Sequence, residues 1–395
     1  MKKHKVKNNK KANGKCGLCL SLVFSLISLV SCAGMPFPPM FGSSLGGSSS
    51  ESEQSNSSSS SNYPLLNSSS SSNSSSFSGS SSDEKEEELS IHFLQLGNSD
   101  PGDCTLIKTG DTEVLIDAGS SSSSVSTVVS YLEEYCTDGI LEYVIATHAD
   151  YDHIAAFVGT DSTRGVFKSF FCQTIIDFPR TDKDKTKKTY QNYVKLRDNE
   201  VKMGAKHYTA LECWKEENGA QRSYALTDNI RFEILYQKYY EESSSSENNY
   251  SVCTLFTNGD EHYLFTGDLE QPGELSLVEN NDLPKCDMFK AGHHGSSTSN
   301  TAALMSVVQP SIVVANCVVG GEYNFPHQTF INNVAPYTDK IYAPRVVSGS
   351  ASTLLNGNVV VTSKNGILSV NCSFENTLLK DTTWFKANRS WPKVV

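Results

Sequence analysis

The eight cysteines that follow Cys32 include no C-x-x-C pair, and the chain has few basic residues for its acidic content. A Cys-type zinc site is therefore not expected. The most apolar stretch, Gly17–Val30, has 14 residues, whereas a helix needs about 20 to span the hydrocarbon core of a bilayer. Basic residues number 33 against 44 acidic ones, an excess of negative charge that disfavours loose binding to polyanions.

Residues 1–31 have the organisation of a lipoprotein signal peptide. Seven lysines and no acid precede the apolar run Gly17–Val30, and Leu29-Val30-Ser31-Cys32 follows the pattern of a bacterial lipobox. We expect cleavage before Cys32, lipidation of its thiol, and an exported protein anchored to the extracytoplasmic face of a bacterial membrane. An ordinary signal peptide or a short anchor helix is the alternative. Cleavage would change the net charge from −11 to −18. The even number of cysteines left permits disulfides without assigning them.

Residues 32–88 are interpreted as a tether. Serine makes up more than half of Gly42–Ser82, and the acidic run Asp83–Glu88 follows it. Such a segment has too few apolar side chains to offset its conformational entropy, which is typical of a disordered linker. The folded domain is expected to occupy residues 89–395.

Hydrophobic patterning in residues 89–395 predicts an α/β fold. Strands predominate at first and later alternate with helices, an order typical of two sheets packed face to face with helices outside. No internal repeat of solenoid period is present. The predicted strands are 91–97, 104–108, 112–119, 141–148, 171–178, 230–237, 251–257, 262–268, 286–291, 311–317, 340–345, 359–363 and 367–371, and helices are predicted at 125–136, 185–203 and 271–280.

The strongest chemical signal is THADYDHI, which directly follows a predicted buried strand. It offers four metal-ligand side chains within six residues, namely His148, Asp150, Asp152 and His153. Carboxylate and imidazole groups are ligands for zinc, manganese and iron. A solvated acidic turn is the alternative, but four such residues at the end of an apolar strand favour a metal site.

This cluster resembles the H-x-H-x-D-H signature of metallo-β-lactamase-fold hydrolases, with Asp150 in place of the second His. The variant is similar to the hydrolase domain of competence-type DNA-internalisation proteins, the ComEC class, and the resemblance extends from about residue 91 to residue 371. Its further motifs, in family order, are GDCTLI, VLIDAG, NNYS, FTGDLE, FKAGHHGSSTS and NFPH. Ile154-Ala155-Ala156 departs from the family's usual Ile-Gly-Gly. The implied fold is the metallo-β-lactamase αββα sandwich of two mixed sheets.

The resemblance also implies two divalent ions, Zn²⁺ or Mn²⁺, and a role for each matching residue. Asp152, His153 and His327 would hold one ion, His148 and Asp150 the other, and Asp268 would bridge them. Where relatives add a His, only Asn248, Asn249 and Ser251 are available, so one site is expected to be weak. The implied supporting residues are Asp117, Asn249 and Ser251, and the implied catalytic residues are Lys290, as a phosphate contact, with His293 or His294 as proton donor.

The favoured function is a phosphodiesterase or nuclease-type hydrolase that uses a metal-activated hydroxide. Its substrate would be a nucleic acid or a cell-envelope polymer. Residues 161–206 contain 11 basic and six acidic side chains and could edge the site, although a solvated helix face is the favoured explanation for them. The alternatives are a hydrolase of ester, lactam or lactone bonds and a surface binding protein on an inactive hydrolase fold. The latter would have no need for three neighbouring carboxylates.

Overall fold

The described part of the chain is a sandwich of two large β-sheets with helices on both outer faces. The structure, a computed structural model, describes residues 88–183 and 186–393, which lie within one compact unit. The predicted signal peptide, Cys32 and the serine-rich tether lie outside the described residues. None of the helices in the described ranges is long and apolar enough to cross a bilayer.

The strands are short, as is usual for a twisted sandwich. They are, in chain order, β1 (Glu88–Phe93), β2 (Thr105–Thr109), β3 (Thr112–Ile116), β4 (Ile140–Ala146), β5 (Phe171–Asp177), β6 (Lys206–Thr209), β7 (Ser223–Ala225), β8 (Ile230–Leu235), β9 (Cys253–Asn258), β10 (Glu261–Phe265), β11 (Met288–Lys290), β12 (Ile312–Val314), β13 (Val318–Val319), β14 (Ile341–Tyr342), β15 (Arg345–Ser348), β16 (Ala351–Leu354), β17 (Val359–Lys364) and β18 (Ile367–Cys372).

The first sheet has the order β18-β17-β1-β2-β3-β4-β5-β6, and the second has the order β14-β12-β11-β10-β9-β8-β7. Both are mixed, since β3 to β6 are parallel to one another, as are β10, β11, β12 and β14. Strands β13, β15 and β16 form a small third sheet, in the order β13-β15-β16. The predicted hairpin of β17 and β18 is present, and its tip residues Asn365 and Gly366 have the positive φ angles, 53° and 71°, that such a turn requires.

The helices follow the strands in the alternation that the sequence predicted. They are α1 (Val125–Tyr135), α2 (Tyr151–Val158), α3 (Val166–Ser169), α4 (Lys188–Lys202), α5 (Ala210–Lys215), α6 (Gln271–Asn280), α7 (Ala302–Val308), α8 (Gln328–Val334) and α9 (Thr383–Asn388).

Side chains of the second sheet alternate between two hydrophobic layers, as the period of two in a strand requires. Tyr263 and Phe265 of β10 belong to the core shared with the first sheet, whereas Leu264 belongs to the core shared with α6, α7 and α8. Met288 and Phe289 of β11 divide in the same way. Both faces of this sheet are therefore buried, and polar groups are concentrated in the loops at its ends.

Candidate metal centre

The predicted site residues converge on loops that leave the carboxyl ends of strands in both sheets. Asp117 directly follows β3, His148 is the second residue after β4, and Asp268 lies in the turn after β10. The pair His293-His294 follows β11. Parallel neighbours end at the same edge of their sheet, so residues far apart in sequence meet there.

Four buried side chains form the centre of this cluster. One ligand atom each of Asp103, His153, Asp268 and His294 lies within 4.8 Å of the others. Oδ2 of Asp268 is 3.2 Å from His153 Nε2 and 3.3 Å from His294 Nε2. Asp152 belongs to the same group, because its Oδ2 lies 3.5 Å from His294 Nε2. Carboxylate and imidazole groups at this spacing provide the donor set of a transition-metal site.

His148 and Asp150 extend the cluster on one side. Oδ2 of Asp150 is 3.5 Å from His148 Nε2. The His148 ring is buried and lies 4.1 Å, between centroids, from the ring of His153. The residues of the THADYDHI run are therefore brought together, and the run is partly helical: α2 begins at Tyr151, so Asp152 and His153 occupy its first turn.

Asp117 fixes the orientation of His153. Its Oδ2 is 2.7 Å from His153 Nδ1 and accepts a hydrogen bond from Thr147 Oγ1, while its Oδ1 accepts one from the Thr147 backbone N–H. A carboxylate on Nδ1 directs the His153 Nε2 atom towards the cluster, an arrangement common behind metal-binding histidines. Ser251 supports the turn at Asp268 by accepting a hydrogen bond from that residue's backbone N–H at 3.0 Å. Asn249 accepts one from Glu270 N–H at 3.2 Å.

The backbone around the site is tightly packed and partly strained. Asp117, His293 and His294 have φ angles of 58°, 46° and 56°, in the left-handed region that non-glycine residues seldom adopt. Gly119 approaches the loop of Asp152 so closely that a Cβ on it would lie 1.4 Å from the Asp152 carbonyl oxygen. A residue without a side chain is required there.

The cluster contains buried polar atoms that make no hydrogen bond although carboxylates lie near two of them, and this observation tests whether the residues fit a metal. Within the described residues, His148 Nε2, Asp268 Oδ1 and His294 Nε2 are buried without a hydrogen bond. Buried polar atoms are nearly always paired, and each unpaired one calls for an explanation. Unpaired imidazole nitrogens and a carboxylate oxygen directed at one another are the donors that a divalent cation would use. The residues therefore fit the metal that the fold implies.

The charges of the cluster strongly influence one another. Burial lowers the pKa of His153, but the Asp268 carboxylate outweighs it and the pKa lies well above its ordinary value. The same holds for the pKa of His294, where burial is outweighed by Asp268 and Asp103. Burial raises the pKa of Asp103, yet Lys290 and His294 lower it to about 2. Carboxylates and imidazoles thus favour each other's charged forms, and a divalent cation would take the place of the imidazole protons.

A cavity of about 280 Å³ opens over the cluster. His293 lies at its wall, with a side chain 22 % exposed and Nε2 3.9 Å from Asp268 Oδ2. Its Nδ1 is 3.0 Å from Thr298 Oγ1. The cavity gives a small molecule or a polymer end access to the cluster. Its lining consists of Pro101, Asp150, Asp152, Asn248, Asp268, His293, His294, Tyr323 and Phe325.

Lys290 is buried beside Asp103 and is not among the residues that line the cavity. Its side chain is 2 % exposed, and Nζ is 2.5 Å from Asp103 Oδ2. The ammonium group also lies within hydrogen-bonding distance of the carbonyl oxygens of Gly267 and Ala291. The structure places this buried ammonium group in an ion pair, and the role of Lys290 as a phosphate contact stays a prediction.

His327 is also not brought into the cluster. Its Nδ1 accepts a hydrogen bond from the Ser297 N–H, and its Nε2 lies 2.9 Å from the Tyr323 carbonyl oxygen. Both ring nitrogens lie beside backbone groups, and the assignment of His327 as a ligand stays a prediction. His294, which the sequence suggested as a proton donor, lies beside Asp152 and Asp268 instead.

Asp103 was missed by the sequence reasoning. It is 1 % exposed and contacts both Lys290 and His294. The sequence did contain a sign of its importance. Asp103 stands between Gly102 and Cys104 just before an apolar strand, where burial of an unpaired charge would be costly.

Comparison with known proteins supports the fold. The family model described as the metallo-beta-lactamase superfamily matches residues 97–166, a segment that contains Asp103, Asp117 and the THADYDHI run. The order of the two mixed sheets with helices outside agrees with this match. The described domain has the metallo-β-lactamase fold.

The chain is also similar to competence proteins. Recombination protein 2 of Haemophilus influenzae is 24 % identical over 245 residues, which are 61 % of this chain and 26 % of that protein. ComE operon protein 3 of Bacillus subtilis is 24 % identical over 193 residues, 48 % of this chain and 21 % of that protein. The chain thus spans about a quarter of the length of the curated relatives it matches. Among solved structures, the metallo-beta-lactamase fold protein YhfI from Bacillus subtilis is 12 % identical, covers 70 % of this chain and 100 % of its own, and has a TM-score of 0.42.

Proposed function

We propose that this metallo-β-lactamase-fold domain, similar to the ComEC class, is a metal-dependent phosphodiesterase. The observation that carries the proposal is the set of buried, unpartnered ligand atoms of His148, Asp268 and His294 beneath an open cavity. An inactive binding protein would have no use for this arrangement, because leaving polar atoms unpaired costs about 1–3 kcal/mol for each group. Asp150 in the motif, together with relatives named for recombination and competence, favours a phosphodiester as the substrate.

Two groups of residues would hold divalent cations. Asp152, His153, His294 and Asp268 form one group, and His148, Asp150 and the same Asp268 form the other. Bound there, a divalent cation supplies Lewis acidity and lowers the pKa of water from 15.7 to roughly 7. Asp117 keeps the His153 ring in place, and the turn held by Ser251 does the same for Asp268.

His293 is the imidazole placed to donate a proton to the leaving group. It lies at the cavity wall, whereas His294 is buried within the cluster. In this role the ring is the imidazolium, in which Nδ1–H donates to the Thr298 hydroxyl and Nε2–H faces the cavity floor at Asp268. Donation of the Nε2 proton leaves a neutral imidazole. Proton donation of this kind contributes about 10²–10⁴ in rate.

The test compares bis-p-nitrophenyl phosphate, single-stranded DNA and nitrocefin as substrates of the full chain with added Mn²⁺ or Zn²⁺. We expect hydrolysis of a phosphodiester and none of nitrocefin. Asp268→Ala should lose bound metal and activity together, whereas His293→Ala should keep the metal and be slowed least with a good leaving group such as nitrophenolate. Hydrolysis of nitrocefin alone would overturn the substrate class. Bound metal without hydrolysis of any substrate would favour a binding protein.

We also propose that the chain is anchored to a membrane through Cys32, on the basis of the lipobox pattern and the serine-rich stretch after it. Expression in a bacterium with labelled palmitate should label the wild type and leave Cys32→Ala unlabelled. Equal labelling of both chains would contradict the anchor.

A further inference from the structure

A buried carboxylate ties a basic segment to the ligand loop. Glu247 is 5 % exposed, and one of its oxygens accepts a hydrogen bond at 3.0 Å from the backbone N–H of Ala149, which lies between His148 and Asp150. Its other oxygen accepts hydrogen bonds from Thr181 Oγ1 at 2.9 Å and from the Asp182 N–H at 2.8 Å. The segment before Lys183 is therefore held against the loop by specific contacts.

Lys183 uses this placement to form an ion pair with Asp150. Its Nζ contacts Asp150 Oδ1, while the other oxygen of the same carboxylate faces His148 Nε2. The two side chains are 24 % and 29 % exposed. The backbone N–H of Lys183 donates to Thr181 Oγ1 at 3.0 Å, which continues the same network. A cation of the chain itself thus neutralises a carboxylate of the predicted weaker metal site.

The remaining donors of that site are few. Asn248 lies at the cavity, where its Nδ2 is 3.2 Å from Glu270 Oε1 and 3.4 Å from His293 Nδ1, so it could offer an ion only its neutral amide oxygen. Asp268 is already shared with His153 and His294. An ion bound beside His148 would have Asp150 as its main anionic ligand, and Asp150 is the residue that Lys183 occupies.

We propose that Lys183 is a resident cation in place of the metal beside His148 and Asp150, so that the domain binds one ion tightly and a second only weakly. The inference rests on the proposed metal centre. A second ion must either displace the ammonium group from Asp150 or remain close to it, and like charges in a partly buried site repel each other strongly. The ion held by Asp152, His153, Asp268 and His294 has the buried ammonium group of Lys290 nearby, but that group is paired with Asp103 and not with one of these four ligands.

The experiment titrates Mn²⁺ into the full chain after chelator treatment and follows binding by calorimetry and by the electron paramagnetic resonance spectrum. The wild type should bind one equivalent tightly and show an isolated ion. Lys183→Ala should bind the second equivalent about tenfold tighter or more, the size of effect that neighbours of metal ligands commonly have, and should show a spin-coupled pair. Lys183→Arg, which keeps the charge, should behave like the wild type.

Lys187→Ala is the matched control, because it removes the same charge from an exposed position at the start of α4. An equal gain in Lys187→Ala would assign the effect to overall charge and overturn the role of Lys183. Two equally tight equivalents in both the wild type and Lys183→Ala would overturn it as well, while leaving the metal centre intact. Absence of Mn²⁺ binding in every variant would contradict the metal centre itself.

Discussion

Single residues at this site act mainly by fixing the direction of a neighbour. Asp117 shows this most clearly, because its left-handed backbone, with φ at 58°, directs a carboxylate to His153 Nδ1 at 2.7 Å. The same carboxylate receives two hydrogen bonds from Thr147, next to His148. One side chain therefore positions residues of both predicted metal groups.

Asp117→Asn is expected to weaken metal binding by about 10–100-fold, the usual effect of removing a carboxylate behind a metal-binding histidine. Asn tolerates the left-handed backbone, so the fold should persist. Competition with a chromophoric chelator measures the affinity. Asp111→Asn, an exposed change in the turn between β2 and β3, is the control. Unchanged affinity in Asp117→Asn would show that His153 needs no such support.

The ion pair of Lys290 and Asp103 is a second effect at the residue scale. Both side chains are almost fully buried, at 2 % and 1 % exposure. Removing one partner from such a pair leaves the other charge without compensation, which costs about 3–5 kcal/mol. We therefore expect Lys290→Met to lower the free energy of unfolding by about 3 kcal/mol in urea titrations.

The control for this change is Lys285→Met, at an exposed position on the approach to β11, which should alter the stability by less than about 0.5 kcal/mol. Asp103→Asn in the Lys290→Met background should recover part of the loss, since it removes the uncompensated charge. Equal stability of Lys290→Met and Lys285→Met would mean that Asp103 is compensated by His294 alone.

The sequence predicts some site residues better than others. The difference lies in how far apart along the chain the contacting residues are. His148, Asp150, Asp152 and His153 stand in one short run, and their grouping in the structure follows from local spacing. The partners of Lys290 and His327 lie on loops distant in sequence or on backbone carbonyls, which no motif records. The sequence therefore could not place those two side chains, and the roles assigned to them from the resemblance stay predictions.

At the scale of elements, strand centres were predicted well and strand ends were not. The predicted strand 141–148 ends at Ala146, because the following residues leave the sheet to enter the cluster. No element was predicted for residues 151–158, which form α2. The strands β13, β15 and β16 were absent from the prediction, since segments of two to four residues carry almost no periodic signal.

The contact between the β3–α1 loop and the start of α2 sets the geometry of the site at this scale. The Ala118 N–H donates to the His153 carbonyl oxygen at 2.8 Å, and the Ala156 N–H donates to the Ala118 carbonyl oxygen at 2.6 Å. Gly119 allows this approach, because any Cβ would overlap the Asp152 backbone. Packing thus requires the glycine of VLIDAG, a motif that the sequence analysis quoted for the resemblance.

Gly119→Ala is expected to push the loop of Asp152 away, to cost about 3 kcal/mol of stability as an overpacked position does, and to reduce metal retention. Elemental analysis and urea unfolding of the same preparation measure both effects. Gly110→Ala is the control: its Cβ would meet nothing within 4 Å, and only its φ of +55° opposes the change, at about 1–2 kcal/mol. Full metal retention in Gly119→Ala would contradict the packing argument.

At the scale of the whole molecule, the charge distribution limits how a polyanion could bind. The chain carries a net charge of −11, and part of the basic stretch 161–206 is paired internally. Arg197 Nη1 lies 2.8 Å from Asp177, and Lys183 contacts Asp150. Fewer of these side chains are free to bind phosphates than the sequence count suggests. Under the proposed function, recognition of a phosphodiester would therefore depend mainly on the metal centre.

The same centre joins the two halves of the sandwich, and this leads to the last prediction. Asp152 and His153 belong to the first half, Asp268 and His294 to the second, and an ion held by all four links them only when the domain is folded. A ligand that binds the folded state alone stabilises it by about 2.7 kcal/mol at 100 times its dissociation constant.

We expect Mn²⁺ to raise the midpoint of thermal unfolding by roughly 5 °C over chelator-treated protein. Asp268→Asn should lose this increment and the exposed change Asp282→Asn should retain it, because only the former removes a carboxylate shared by both halves. An increment of the same size in Asp268→Asn would place the stabilising ion outside the cluster.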